Sequence, residues 1–503
     1  MDFSEAIKNE QKWTLTENGA VALNTTGTAL LDLFGTIGAL RSRKPIEIET
    51  MLEDAYNEDP LNTVKCIMYA RDVREGLGER RVFRIALKWF AKRNPQAVIK
   101  NIALIAEYGR YDDYYELIDT PVENAMWNYL HQVFRQDAAN MGVNKFNGQS
   151  KPVSLLAKWL KTADASSKKT RQLGILTAKK FGMTVYTYKR MVRALRKYLE
   201  VVEPKMCANE WSKIDYSAVP SRASMLYKNA FMRHDEDRYT EFIDKVNKGE
   251  AKINASTLYP YDILERYSIG SGWATRYSEV EDPAVEALWK NLPNYVEPGT
   301  NAVVMADTSG SMNGRPMNSA VGLAIYFAER NTGAYHNLWM NFSDTPKWNK
   351  LRGKTLCQKL NNMDMDNWDN NTDLHAAFKL VLNTAIKNNV SQDEMPKSII
   401  VISDMEIDSC GDRNWTFYDQ MRSEFAERGY QIPQIIFWNV NSRHDVFHAD
   451  KTRKGVILCG GQSTTTFKTL INSVDMNPVE YMMSVLNSKR YEKVVCPNIE
   501  TSF

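Results

Sequence analysis

The chain reads as an all-α helical array followed by an α/β domain, and three observations predict this. Residues 45–293 repeat apolar positions at helical spacing with short, Gly-, Pro- or Asn-punctuated connections. Asn294-Tyr295-Val296-Glu297-Pro298-Gly299 then breaks the pattern. Beyond it, short apolar strands alternate with helical stretches, the order expected of a parallel sheet covered on both faces. The predicted domains are therefore 1–298 and 299–503. A chain of 503 residues, 43% hydrophobic and 25% charged, can bury cores of that size.

In the first part, 79–90 is a clear case. Val82, Phe83, Ala86, Leu87 and Phe90 line one side, and Arg80, Arg81, Arg84 and Lys88 the other. Further helices are predicted over 61–71, 96–107, 122–139, 168–180, 186–201, 218–230, 235–247 and 281–291. No exact repeat period is present, so a solenoid-like stack of helix pairs and a compact helical domain both remain open. In the second part, strands are predicted at 301–306, 336–342, 398–403, 434–438 and 455–459. Helices are predicted at 317–330, 374–386, 415–427, 464–473 and 478–487.

Composition narrows the function. Sixty-four Lys and Arg against 61 Asp and Glu give a net charge of +3, so neither a strongly cationic coat nor an acidic tail is present. The six cysteines are widely scattered; Cys459 and Cys496 are the nearest pair, and zinc spacing is absent. Cysteines so placed fit a reducing, cytoplasmic compartment. Cys357, Cys410 and Cys459 read as packing residues. MDFSEAIKNEQKW has no apolar signal core, and no apolar run reaches the length of a membrane span. Hydrolase elbow, kinase set, Walker loop and HExxH are all missing, and with no evident general base beside a metal the chain reads as a binding protein, not an enzyme.

The α/β part carries the sharpest constellation. Asp307-Thr308-Ser309-Gly310-Ser311 follows one strand directly, Thr372 precedes a helix, and Asp404 ends SIIVIS. Open α/β sheets bind ligands at the carboxyl ends of their strands. Asp307, Ser309, Ser311, Thr372 and Asp404 offer only oxygen, a donor set for a hard divalent cation such as Mg²⁺, Mn²⁺ or Ca²⁺. Few of these donors are charged, so a bound cation would still accept an acidic group from a partner. Asp364, Asp366, Asp369, Asp373, Glu406 and Asp408 enrich the same region. They raise cation affinity in one reading and are solvated loop residues in the other. His375 is either an outer-layer neighbour of the metal edge or an exposed residue of a helical first turn.

This region, 301–503, resembles a von Willebrand factor A domain, and DTSGS resembles its metal-ion-dependent adhesion site. The resemblance implies a Rossmann-like fold, Mg²⁺ as the usual cation, and a partner carboxylate completing the coordination. Asp307, Ser309 and Ser311 match the first loop of that site, Thr372 the second and Asp404 the third.

Between Lys151 and Lys205, fourteen Lys or Arg stand against Asp164, Glu200 and Glu203, whereas residues 300–503 hold 21 basic and 22 acidic residues. On the 186–199 helix, Tyr188, Val192, Leu195 and Leu199 form one stripe, opposite Lys189, Arg190, Arg193, Arg196 and Lys197. Lys168, Lys169, Arg171, Lys179 and Lys180 continue the cationic surface upstream. With Tyr186 and Tyr188 nearby it suits a phosphate backbone with stacked bases. It also suits an acidic protein partner.

The N-terminal part resembles the TROVE module of Ro ribonucleoproteins. The strings that carry the likeness are Thr14-Leu15-Thr16-Glu17-Asn18-Gly19-Ala20, Asn24-Thr25-Thr26-Gly27, Leu30-Leu31-Asp32-Leu33-Phe34, Ala70 to Arg80, and Glu107-Tyr108-Gly109-Arg110-Tyr111-Asp112-Asp113. The chain is most similar to the uncharacterised branch that joins such a module to an A domain. The resemblance implies a HEAT-like ring of paired helices closed by the A domain, and binding of small noncoding or misfolded RNA. The competing reading is a structural or adhesion protein, a shell or virion component, gripping an acidic partner through the metal. On the residues alone, Arg71, Asp72, Arg74, Glu79 and Arg80 around Gly76-Leu77-Gly78 read as a buried or semi-buried ion network. Arg110 reads as a clamp between helices or as facing RNA.

Overall fold

The computed structural model describes residues 12–497 apart from 149, 270–275, 343–344, 364–367, 369–371, 410–416 and 471–472. Asp364, Asp366, Asp369 and Cys410 lie outside the described residues.

The first part is helical, after a small hairpin. Strands β1 (Trp13–Leu15) and β2 (Val21–Leu23) pair antiparallel. Helices Ala29–Thr36, Pro45–Glu58, Pro60–Arg71 and Arg81–Arg93 follow, and Pro at the first turn starts two of them. Arg81–Arg93 buries Val82, Phe83, Ala86, Leu87 and Phe90, the predicted stripe. The predicted helix at 96–107 is divided into Pro95–Lys100 and Leu104–Tyr108. Glu123–Asn147, Lys168–Lys180, Val185–Tyr198, Ser221–His234, Glu236–Lys248 and Pro283–Lys290 complete the long helices. A second two-stranded hairpin pairs β3 (Ser268–Ile269) with β4 (Arg276–Tyr277).

The ion network is present in part: Arg71, Asp72 and Glu79 are buried, whereas Arg74 and Arg80 are exposed. Arg71 Nε donates to Asp113 Oδ2 at 2.7 Å and Arg84 Nε to Asp113 Oδ1 at 2.7 Å. Arg110 chelates Asp112 at 2.8 and 2.7 Å and lies 4.0 Å over the Trp159 ring. It clamps helical segments together. Asp72, fully buried, accepts from Arg490 at 2.7 and 3.0 Å, so the network reaches the far end of the chain.

The second part is built on six strands: β5 (Ala302–Asp307), β6 (Leu338–Phe342), β7 (Lys347–Lys350), β8 (Ser398–Ser403), β9 (Gln434–Asn439) and β10 (Val456–Gly460). Their order is β10-β9-β8-β5-β6-β7. All neighbours run parallel except β7, which returns antiparallel to β6. The sheet is therefore mixed, where the sequence predicts a parallel one. β7 reads Lys-Trp-Asn-Lys, and its edge position demands no apolar run.

Successive residues of a strand face opposite sides. Val303, Met305, Ile399, Val401, Ile435 and Phe437 join the core covered by helices Leu374–Asn388 and Phe417–Glu427. Val304, Ala306, Ile400, Ile402, Ile436 and Trp438 join the core that includes helix Arg315–Arg330 and runs on through the N-terminal helices. Position 298 thus separates kinds of element, while the packing is continuous across it. The approach is closest at Gly38, where an added Cβ would lie 2.5 Å from the Gly460 carbonyl oxygen, so a side chain there is excluded.

No helix among the described residues is long and apolar enough to cross a membrane.

Candidate metal centre and basic surface

Parallel pairing of β5 with β8, in the register Ala306 with Ile402, brings Asp307 and Asp404 to the same carboxyl edge. Asp307 is fully buried. Its Oδ1 accepts from the Ser309 amide at 2.9 Å and its Oδ2 from the Ser403 hydroxyl at 2.6 Å. Burial, and after it repulsion from Asp404, push the Asp307 carboxyl up to about 7. The Ser309 and Ser311 hydroxyls stand 3.1 Å apart; Ser309 is buried and Ser311 exposed.

Asp404 accepts from the Glu406 amide at 3.2 Å and from Arg443 Nη2 at 3.0 Å. Met405, just beyond it, holds a φ of 70°, a left-handed conformation that costs roughly 1–2 kcal/mol in a non-glycine residue. Such strain persists where surrounding contacts over-determine it. Here the Ser403 hydroxyl accepts from the Met405 amide at 3.0 Å and Met405 itself is buried.

Thr372 lies at the same edge, and its hydroxyl is heavily used. It donates toward the Glu406 carbonyl at 3.2 Å and Asp408 Oδ1 at 3.0 Å, and accepts from Asn18 Nδ2 at 2.9 Å. Each carboxylate oxygen of Asp307 and Asp404 accepts one bond from the partners named and has capacity for another. Two buried carboxylates side by side with serine hydroxyls fit a hard divalent cation. Asp307, Asp404, Ser309 and Ser311 would hold it, and Thr372 has the least capacity left.

Among the described residues, the remaining acidic side chains of this region are each engaged by the protein. Glu406 is buried, and Asp408 takes the Thr372 amide at 2.6 Å. Asp373 caps its helix through Ala376 N at 2.7 Å. His375 is not exposed: Nε2 meets Glu424 Oε1 at 2.7 Å and the side chain is mostly covered.

The structure adds residues that sequence spacing did not single out. The turn between β1 and β2 lies on this edge. Thr16 Oγ1 donates to the Ile407 carbonyl at 2.7 Å, the Glu17 amide to Glu406 Oε2 at 2.7 Å, and Asn18 Nδ2 to the Glu406 carbonyl at 2.7 Å. Arg443 joins Glu17, at 2.7 Å, to Asp404. Contacts spanning hundreds of residues leave no local signal in a single sequence.

On the helical side, Lys168, Lys169, Arg171, Lys179, Lys180, Arg190, Arg193 and Lys197 are exposed. Lys180 pairs with Glu123 at 2.8 Å and half-buried Lys189 with Asp164 at 2.7 Å. Arg171 bonds the Ala165 carbonyl at 2.9 Å. Arg196 differs from the sequence expectation: it turns inward and donates to the carbonyls of Ala157 and Leu160 at 2.8 and 2.7 Å. Its long stem lets it leave the outer arc and satisfy a helix end. Tyr188 and Leu195 are buried as the apolar stripe requires, so Tyr188 cannot stack on a base, whereas Tyr186 is 73% exposed.

Two family models match. One, described as a domain of unknown function (DUF7788), covers residues 301–498. An uncharacterized protein, L728, of Acanthamoeba polyphaga mimivirus is 29% identical over 511 residues, spanning 94% of this chain and 87% of its own. The crystal structure of the Deinococcus radiodurans RO (RSR) protein aligns over 80% of this chain and 93% of that one, at 14% identity. Its TM-score of 0.35 is too low to carry an assignment of fold or function. The other family model, a domain of unknown function (DUF2828), matches residues 16–151 and 144–297, more than half of the chain. The chain belongs to the DUF2828 family.

Proposed function

We propose that this protein binds RNA through the helices Lys168–Lys180 and Val185–Tyr198, and that a divalent cation at Asp307, Ser309, Ser311 and Asp404 serves partner binding in the sheet half. The observation that carries the first part is a set of exposed cations, Lys168, Lys169, Lys179, Arg190, Arg193 and Lys197, with no salt bridge among the described residues, around exposed Tyr186. A phosphate backbone supplies the missing counter-charge, and Tyr186 offers a face for one base. The resemblance of the Thr14–Ala20, Ala70–Arg80 and Glu107–Asp113 strings to the Ro TROVE module, and of DTSGS to the A-domain metal site, supports the same reading. Structured or single-stranded noncoding RNA is the substrate class it implies.

The test is RNA binding by the full chain with a fluorescent 20-nucleotide single strand and a small hairpin RNA, across a salt series. Charge reversal at Arg190, Arg193 and Lys197 should lower affinity and flatten the salt dependence by about 2 in log–log slope, at roughly 0.7 per phosphate contact. Unchanged binding and slope would overturn the assignment.

A second reading, a structural or adhesion protein, rests on the sheet edge: exposed Ser311 beside buried Asp307 leaves one side from which a partner carboxylate could meet a bound Mg²⁺. It predicts a protein complex that EDTA or Asp307→Ala dissolves while the helices stay folded.

A further inference from the structure

We propose a second cation site, distinct from the one at Asp307, formed by Glu17, Glu406 and His444 where the N-terminal hairpin meets the sheet edge. One ligand atom from each of the three lies within 4.8 Å of the others. His444 Nδ1 stands 3.0 Å from Glu406 Oε1 and 3.4 Å from Glu17 Oε1. Donors bound to one tetrahedral ion at about 2.0–2.2 Å are about 3.3–3.6 Å apart. The two distances to His444 are therefore near the spacing of ligands around one ion, and the two carboxylates are close enough to complete it with a small movement.

Other contacts hold these atoms in place and leave the pairing oxygens available. Glu406 is buried, and its Oε2 is occupied by the Glu17 amide at 2.7 Å, so Oε1 faces His444. Arg443 takes Glu17 Oε2 at 2.7 Å, which turns Oε1 of Glu17 toward the imidazole. The His444 side chain is 56% exposed and Glu17 41%, giving an ion an approach from solvent. Charge favours a cation as well. Asp307, Asp404, Glu406, Asp408 and Glu17 gather at this edge, and Arg443 is the cation that bonds to two of them. An imidazole with two carboxylates suits a first-row ion such as Zn²⁺ over Mg²⁺. With Glu17 from the chain's start and His444 from near its end, such an ion would pin the hairpin to the sheet.

The test is isothermal titration of Zn²⁺ into the full chain, with saturating Mg²⁺ present. Wild type should take up one Zn²⁺ tightly, and Asp307→Ala should still do so, which separates this site from the proposed Mg²⁺ site. His444→Ala and Glu17→Gln, both at exposed positions, should each weaken Zn²⁺ by about tenfold or more, since even outer-shell changes cost that much. Bound Zn²⁺ should also protect residues 12–27 from protease in wild type and not in Glu17→Gln. No Zn²⁺ uptake by wild type, or uptake that survives His444→Ala or is lost with Asp307→Ala, would overturn the proposal.

Discussion

Arg71 and Arg193 carry the same guanidinium and do opposite work. Arg71 is buried, with its Nε on fully buried Asp113; Arg193 stands in solvent on the outer arc of Val185–Tyr198. A buried charge is held by one geometry and is costly to orphan. An exposed one is cheap to change and acts through the summed field. The sheet edge belongs to the first kind, the basic helices to the second. This difference teaches where substitution should unfold the protein and where it should alter only what it binds.

Four measurements would break or sharpen that contrast. Asp113→Ala should have the largest effect, because it strands buried Arg71 and takes one of three carboxylate partners from Arg84; urea midpoints should fall by the equivalent of about 3–5 kcal/mol. Next comes acid. Burial pulls His448 down to about 4 from its ordinary 6.5. Its Nε2 donates to the Met405 carbonyl at 3.0 Å, and Nδ1 has no partner among the described residues. The unfolded chain binds the proton more readily, so this stability is present above pH 6.5 and is lost as pH falls through 4. The loss should total about 3 kcal/mol at 1.36 per unit, and His448→Gln should flatten it in melts across that range.

Tyr186→Ala should come third, weakening single-stranded RNA by about 1–3 kcal/mol in binding titrations while the melting temperature holds. Smallest, Lys168→Ala or Lys169→Ala should leave folding stability within about 0.5 kcal/mol in urea titrations. A large loss of stability there would erase the distinction between the two regions.

Local pattern made some of this legible. The helix expected at 168–180 is Lys168–Lys180, and SIIVIS is strand β8 to the residue, because both are declared by their own side chains. Asp307 and Asp404 could be placed on one edge from strand logic alone. The antiparallel β7 escaped because an edge strand needs no apolar run. Arg196 escaped because a helical wheel gives its direction from the axis and not the carbonyls its stem can reach. Glu17, Asn18 and Arg443 lie far from the residues they meet in sequence, and only the fold brings Asn18 to Thr372 and Arg443, with Glu17 on it, to Asp404.

The bond between Asp72 and Arg490 crosses a sequence separation of 418 residues, and the Glu17 amide reaches Glu406 across 389. A ribosome must therefore carry synthesis past Arg490 before Asp72 can close its salt link. Until then Asp72 waits in water as an ordinary solvated carboxylate. That contact therefore forms late, and truncation near residue 489 should leave a product that chaperones hold and proteases recognise.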